Sequence, residues 1–227
     1  MSTARIPRTA FVTGGARGIG AAIAAELAAR GCTVIAPTRA ELDLAQPASI
    51  DAYLTANSAL KIDILINNAG INILKPVAEL SAADWQAMLQ TNLNAALRLV
   101  QAFAPGMAAR GWGRILNVST IFSLVTKERR AAYSMTKSAL NALTRSSAVE
   151  FGASGVLVNS LAPGYVDTAL TRQNNTPEAI AAITASIPLR RMADSTELAR
   201  LAAFLVSDEN SYLTGQTIVA DGGFTCL

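Results

Sequence analysis

The sequence predicts a single doubly wound α/β domain, a parallel Rossmann-like sheet with helices on both faces. Three observations carry that prediction. Short β-branched runs alternate with long alanine-rich segments along the whole chain. A glycine-rich turn, Thr13-Gly14-Gly15-Ala16-Arg17-Gly18-Ile19-Gly20, joins the first apolar run to the first helical segment. A length of 227 residues with 51% hydrophobic content is enough for one full core, and no Pro/Ser-rich linker divides residues 1–227.

Six strands are expected: Thr9–Thr13, Thr33–Ala36, Ile62–Ile66, Arg114–Val118, Val156–Leu161 and Thr217–Ala220. Runs this apolar suit parallel strands covered on both faces. Helical periodicity marks Ile19–Arg30, Pro47–Asn57, Ala82–Ala109, Ala131–Gly152 and Ser195–Ser207. Asp194 or Ser195 is a candidate cap for the last, with Glu197 in its first turn. One connection is too short for the pattern. Only Arg39 to Leu42 separate Thr38 from Asp43-Leu44, whereas a parallel crossover needs roughly a dozen residues. A third strand there is therefore expected to be vestigial or absent, and the crossover shortened.

Two motifs carry chemistry. The glycine turn aims backbone N–H groups and a helix N-terminus at a dinucleotide pyrophosphate, and Arg17 within it is a candidate phosphate contact. Asn67-Asn68-Ala69-Gly70 ends the Ile62–Ile66 strand. If that strand adjoins the first, Asn68, Ala69 and Gly70 flank the same crevice. Tyr133 and Lys137 stand at i and i+4, one turn apart on a helix face. A lysine beside a tyrosine favours the phenolate and brings its proton transfer toward neutrality. An acid/base pair beside a dinucleotide cradle points to hydride transfer.

Other classes are disfavoured. A net charge of +3 on 15% charged residues is too diffuse to argue for nucleic acid. With no histidine and two distant cysteines, Cys32 and Cys226, no metal site is expected and both thiols should be reduced. Met1 to Ala10 has no apolar leader core and no apolar run reaches about 18 residues. The expectation is a cytoplasmic protein with no membrane partner.

These motifs, with Asn92, Pro163-Gly164 and Asp221-Gly222-Gly223 in the same order, resemble the short-chain dehydrogenase/reductase family over nearly the whole chain, in its single-domain branch and among members like the 3-oxoacyl-carrier-protein reductases. The resemblance implies an NAD(P)(H)-dependent oxidoreductase that interconverts a ketone and a secondary alcohol. Tyr133 becomes proton donor and acceptor, and Lys137 its modulator and a holder of the nicotinamide ribose. Asn92 is implied to bind a water in the proton path. The family's catalytic serine falls thirteen residues before Tyr133, at Thr120; Ser119, one place earlier, is the alternative. Pro163, Gly164, Val166 and Thr168 match the loop that closes on the nicotinamide, and about 168–191 matches a substrate lid. Asp43 and Leu44 match the adenine pocket.

Cofactor choice turns on the end of the second strand. Pro37-Thr38-Arg39 offers no acid before Glu41. Arg39 is therefore assigned to a 2′-phosphate and NADP(H) is preferred, with NAD(H) open if Glu41 swings inward. Lys127, Arg129, Arg130, Arg190 and Arg191 form either a solvated rim or a site for an anionic substrate. A sugar-nucleotide epimerase or dehydratase shares the Tyr/Lys pair but has different glycine spacing and a longer C-terminal domain. A dinucleotide sensor commonly lacks the tyrosine or lysine. The alanine- and leucine-rich helices Ala82–Ala109 and Ala131–Gly152 suggest a homo-oligomer. By resemblance these helices pair between subunits, with Gln216–Leu227 forming a second contact toward a tetramer.

Overall fold

Strands β1 (Thr9–Val12), β2 (Thr33–Ile35), β3 (Ile64–Asn67), β4 (Gly113–Val118), β5 (Val156–Pro163) and β6 (Thr217–Ala220) pair in parallel in the order β2-β1-β3-β4-β5-β6. The computed structural model describes residues 7–173 and 175–227. The six expected strands are present, each with ends moved by no more than two residues. Chain direction across the sheet reverses between β1 and β3, which opens a crevice beyond their carboxyl ends.

The pleat distributes the apolar residues over two cores. Ala10, Val12, Ile64, Ile66, Leu116 and Val118 face α1 (Gly18–Ala29) and α8 (Ser195–Leu205). Phe11, Leu65, Ile115, Val156 and Val158 face α2 (Pro47–Ala56), α4 (Ala95–Ala109) and α5 (Ala131–Phe151). The shortened crossover is a turn in which Glu41 N–H and Leu42 N–H both donate to Thr38 O. Leu42 and Leu44 then drop onto the second core at 5% and 9% exposure. They cover the sheet where a longer connection would otherwise pack.

The expected Ala82–Ala109 helix is α3 (Ala82–Leu89) and α4, joined through a wider π-helical turn at Gln90–Asn94. A capping box between Ser81 and Asp84 starts α3. The π turn carries Asn92 inward to 1% exposure, a local distortion of the kind found at functional sites. Periodicity alone does not reveal it, because the residues on either side keep helical spacing.

The segment 168–191, expected from the resemblance to be a substrate lid, contains α6 (Ala169–Gln173) and α7 (Pro177–Ser186). Residue 174 of that segment lies outside the described residues. Thr176 caps α7 by accepting from Ala179 N–H at 3.2 Å, with Pro177 in the first turn. Of the two candidate caps for α8, Asp194 takes the position and forms a capping box with Glu197. Among the described residues no helix is long and apolar enough to cross a membrane.

Candidate active site

The glycine turn leaves β1 with Gly14 and Gly18 in the left-handed region, at φ 65° and 56°. It is fixed from below by Thr13 and Asn68. Thr13 Oγ1 accepts from Asn68 N–H at 3.0 Å and Ala69 N–H at 3.1 Å. Asn68 Nδ2 donates back to Thr13 O at 2.9 Å and Gly14 O at 3.2 Å. The side chain of Asn68 therefore holds the cradle, while Ala69 and Gly70 border the crevice. A Cβ on Gly20 would collide with Gly14 O and Asn68 Nδ2. No side chain caps α1, so its first amides stay open toward the crevice, with Arg17 at the N-cap. Ile19 packs against the first core. A dinucleotide pyrophosphate fits this cradle of bare backbone.

The phenol, the ammonium and the threonine meet across the crevice, at the ends of β3 and β4. The pleat separates Ser119 from Thr120. Ser119 Oγ donates to Lys137 O at 3.3 Å, away from the crevice. The Thr120 hydroxyl accepts from Phe122 N–H at 3.3 Å and stands beside the Tyr133 phenol, close enough to favour its phenolate. Burial pushes the Tyr133 phenol above its usual value, and Thr120 and the Arg130 charge pull it back.

Lys137 is 3% exposed, and its ammonium donates to Val118 O at 2.7 Å. Burial lowers its pKa to about 8. One N–H of the ammonium is taken by Val118 O, and the groups that favour the Tyr133 phenolate against burial are Thr120 and Arg130.

Gly70 makes room for this arrangement. A Cβ there would stand 3.2 Å from Asn92 Oδ1 and 3.4 Å from Lys137 Nζ. Asn92 fixes the loop that follows Gly70: its Oδ1 accepts from Ile71 N–H at 2.8 Å, and its Nδ2 donates to Ile71 O at 2.9 Å and Thr136 Oγ1 at 3.1 Å. Both amide hydrogens are thus used, which leaves any water a lone pair of Oδ1 or the backbone carbonyl.

A buried polar network beneath these groups was not singled out in the sequence. Asn67 Nδ2 donates to Asn117 Oδ1 at 2.9 Å, and Asn117 Nδ2 to Thr144 Oγ1 at 2.8 Å. Asn141 Nδ2 donates to Ser123 Oγ at 2.8 Å, Ser123 Oγ to Thr120 O at 2.6 Å, and Ser160 Oγ lies 2.8 Å from Asn141 Oδ1. It ties the ends of β3, β4 and β5 to α5. A readable signal existed: Tyr133, Lys137 and Asn141 recur every four residues on one helix face.

The remaining positions divide between two corners. Gly164 packs under Asp221, where a Cβ would come within 2.7 Å, and Val166 bridges Ala193. Pro163 ends β5. Thr168 caps α6 through Thr171 N–H at 3.2 Å and approaches Gly18, so this loop reaches the glycine turn. At the end of β2, Glu41 Oε2 accepts from Thr38 N–H at 2.7 Å and Thr38 Oγ1 at 2.8 Å. Arg39 lies 3.5 Å from Asp43 in an exposed pair, and Leu44 O accepts from Gln90 Nε2 at 3.1 Å. Neither cysteine forms a disulfide, and no cluster of metal-ligating side chains occurs among the described residues.

Known proteins resemble this chain along nearly its whole length. The family model described as Enoyl-(Acyl carrier protein) reductase matches residues 36–225, and that described as short chain dehydrogenase matches residues 8–50. The 3-oxoacyl-[acyl-carrier-protein] reductase of Vibrio cholerae serotype O1 is 35% identical over 95% of this chain and 96% of its own. The acetoacetyl-CoA reductase of Allochromatium vinosum is also 35% identical, over 95% and 98%. The crystal structure of a gluconate 5-dehydrogenase from Burkholderia cenocepacia J2315, in complex with NADP and tartrate, matches with a TM-score of 0.92 at 31% identity, covering 98% of this chain and 97% of that one.

The depressed lysine has a consequence for stability. Between about 8 and the ordinary value of 10.5 the unfolded chain holds more protons than the native one. Stability contributed through this group therefore rises with pH across that window. Urea unfolding at pH values on either side of 8 should show wild type gaining on a Lys137→Met variant at the higher pH. A pH-independent difference between the two would show that the native ammonium is not depressed.

Proposed function

This chain belongs to the short-chain dehydrogenase/reductase family, and on that premise we propose how its residues interconvert a ketone and a secondary alcohol. The observation that carries the reading is the convergence of Tyr133, Thr120 and Lys137 at the strand ends beside the Gly14–Gly20 cradle. Gly14, Arg17, Gly18, Ile19 and Gly20 hold the pyrophosphate. Asp43 and Leu44 border the adenine, Asn68, Ala69 and Gly70 the adjoining crevice, and Tyr133 and Lys137 the ribose. Pro163, Gly164, Val166 and Thr168 close over the carboxamide. When bound, the nicotinamide supplies or accepts the hydride.

The chain's own groups manage the proton. In reduction, Tyr133 donates its phenolic proton to the carbonyl oxygen while Thr120 donates a second hydrogen bond to that oxygen. A phenol that burial keeps protonated at neutral pH suits this direction. The Lys137 ammonium lies across Gly70 from Asn92, on the route by which the proton is replaced.

Tyr133→Phe should cut turnover by about a hundredfold or more while leaving cofactor affinity within a few-fold, by stopped-flow and fluorescence titration. Thr120→Ser should keep most activity and Thr120→Val should lose it. Damage from Ser119→Ala with Thr120→Val tolerated would transfer the hydroxyl role to Ser119.

NADP(H) is the preferred cofactor in this reading. The Burkholderia cenocepacia relative holds NADP, and the glycine turn that carries Arg17 lies against the end of β2, where a Cβ on Gly15 would stand 2.8 Å from Ala36 Cβ. The exposed Arg39–Asp43 pair is worth only about 0–1 kcal/mol, whereas a charge-assisted contact to a 2′-phosphate brings about 1.5–3 kcal/mol. The phosphate therefore wins Arg39 from Asp43. Glu41 opposes it from Thr38, so the preference is a balance. Titration should show Arg39→Ala weakening NADPH binding about tenfold to a hundredfold and Glu41→Gln favouring NADPH further. Tighter NADH binding by wild type, or NADPH binding indifferent to Arg39, overturns the preference.

We further propose a cytoplasmic homo-oligomer, a tetramer by family pattern, paired through α4 and α5. Val149 on α5 is 84% exposed and Leu97 on α4 39%, and burial of such residues between subunits is favourable. Light scattering at micromolar concentration should return a multiple of the 23.6 kDa chain mass; a monomeric mass removes the assembly.

A further inference from the structure

The cations around the crevice mouth have different occupations. Lys75 Nζ is taken by Asp84 at 2.7 Å, Arg191 by Glu197 at 2.7 Å and Arg172 by Asp167 at 2.6 Å. Arg129 Nη2 donates to Leu74 O at 3.2 Å, and Arg190 Nη1 to Ala185 O. Lys127 projects into solvent on the turn before them. Arg130 differs from all of these. It is half-buried, and its guanidinium lies 4.2 Å over the Phe122 ring. None of its N–H groups has a hydrogen-bond or ion-pair partner among the described residues.

The surroundings place Arg130 against the reacting groups. It precedes Tyr133 by three residues, at the N-cap of α5. The ring under its guanidinium belongs to the residue whose N–H is bonded to Thr120 Oγ1. Phe122 meets Tyr165 edge-on at 6.1 Å, and Tyr165 meets Phe224 at 5.5 Å. The guanidinium therefore stands on an aromatic wall beside the Tyr133–Thr120 pair. Its charge is felt at both the Tyr133 and Tyr165 phenols, each of which it lowers.

The backbone is bent to achieve this. Arg129 has φ 65°, a left-handed conformation unusual for a residue with a side chain. It is pinned there by Lys75 N–H donating to Arg129 O at 3.2 Å and by its own side chain on Leu74 O. Strain held at such a position often accompanies a ligand-orienting task.

We propose that Arg130 anchors a carboxylate carried by the substrate close to its carbonyl, so that the enzyme acts on keto acids and the corresponding hydroxy acids in preference to neutral ketones. The proposal rests on the ketone/alcohol reading and specifies its substrate. One planar guanidinium with its donors unclaimed matches the two oxygens of a carboxylate. A multiply charged phosphate would call on several cations at once, but Lys75, Arg191 and Arg172 are neutralised by Asp84, Glu197 and Asp167, and Arg129 and Arg190 are turned onto backbone carbonyls.

The test pairs acids with their esters. Acetoacetate and ethyl acetoacetate are each assayed with NADPH and NADH, using wild type, Arg130→Gln and Arg130→Lys. In parallel, tartrate and diethyl tartrate are compared for their effect on the melting temperature of the NADP⁺-loaded proteins. Wild type should favour acetoacetate over its ester at least about tenfold in kcat/KM, as expected for a charge-assisted contact. Arg130→Gln should collapse that ratio toward one through KM, and Arg130→Lys should recover part of it. Tartrate should raise the melting temperature of wild type but not of Arg130→Gln, and diethyl tartrate should raise neither.

A wild-type ratio near one, or a ratio that survives Arg130→Gln, overturns the carboxylate anchor. The two readings fail separately. Turnover of ester and acid alike with no tartrate shift removes the anchor and leaves the oxidoreductase. An Arg130-dependent tartrate shift with neither cofactor oxidised by either ketone keeps the anchor and removes the ketone chemistry.

Discussion

Lys137 keeps an ammonium at 3% exposure, and the crevice is arranged around that cost. A buried charge without oxygen partners is among the most expensive features a fold can hold. The Val118 carbonyl at the end of β4 meets it directly at 2.7 Å. Gly70, at the end of β3, omits the Cβ that would press on Nζ and on Asn92 Oδ1. Asn92 reaches this place only because the helix widens into a π turn at Gln90–Asn94. The strand ends, the glycine and the helix distortion thus meet at one buried cation.

The same requirement explains why so many polar side chains lie under an otherwise apolar sheet. Asn67, Asn117, Asn141, Thr144, Ser123 and Ser160 connect strand ends to α5 through hydrogen bonds that have little competition from water. Such a network fixes where the helix sits along its axis. A shift of α5 would break several buried bonds at once, so Tyr133 stays in register with Thr120. On the cofactor side the arrangement is simpler. Thr13 and Asn68 exchange hydrogen bonds across the β1–β3 boundary, and the glycine turn rests on them.

Electrostatics grade from the base of the crevice to its rim. Charged side chains at the rim are mostly paired and exposed, where screening leaves each pair a small effect. Arg130 lies nearer the phenol, stacked on an aromatic ring and without a carboxylate partner among the described residues, so its field acts on the reacting groups. At the opposite end, the shortened crossover after β2 brings Glu41 back onto Thr38 while Arg39 turns to Asp43. So short a connection places opposing charges at one corner.

Much of this protein is legible in its sequence because the signals are local. Alternating apolar runs and alanine-rich helices determine a parallel doubly wound sheet, and the four-residue gap between Thr38 and Asp43 excludes a further crossover and leaves six strands. Tyr133 and Lys137 share a helix face by spacing alone, and strand alternation separates Ser119 from Thr120. What required the tertiary structure depends on groups distant in sequence. The π turn forms because Asn92 satisfies Ile71 and Thr136 at once, and no local pattern encodes that demand. Helices α6 and α7 carry too little periodicity to stand out, although Thr176-Pro177 marks a start. Which arginine of a basic cluster remains without a partner is decided by which oxygen atoms the fold brings to the others: Leu74 O to Arg129, Ala185 O to Arg190 and Glu197 to Arg191.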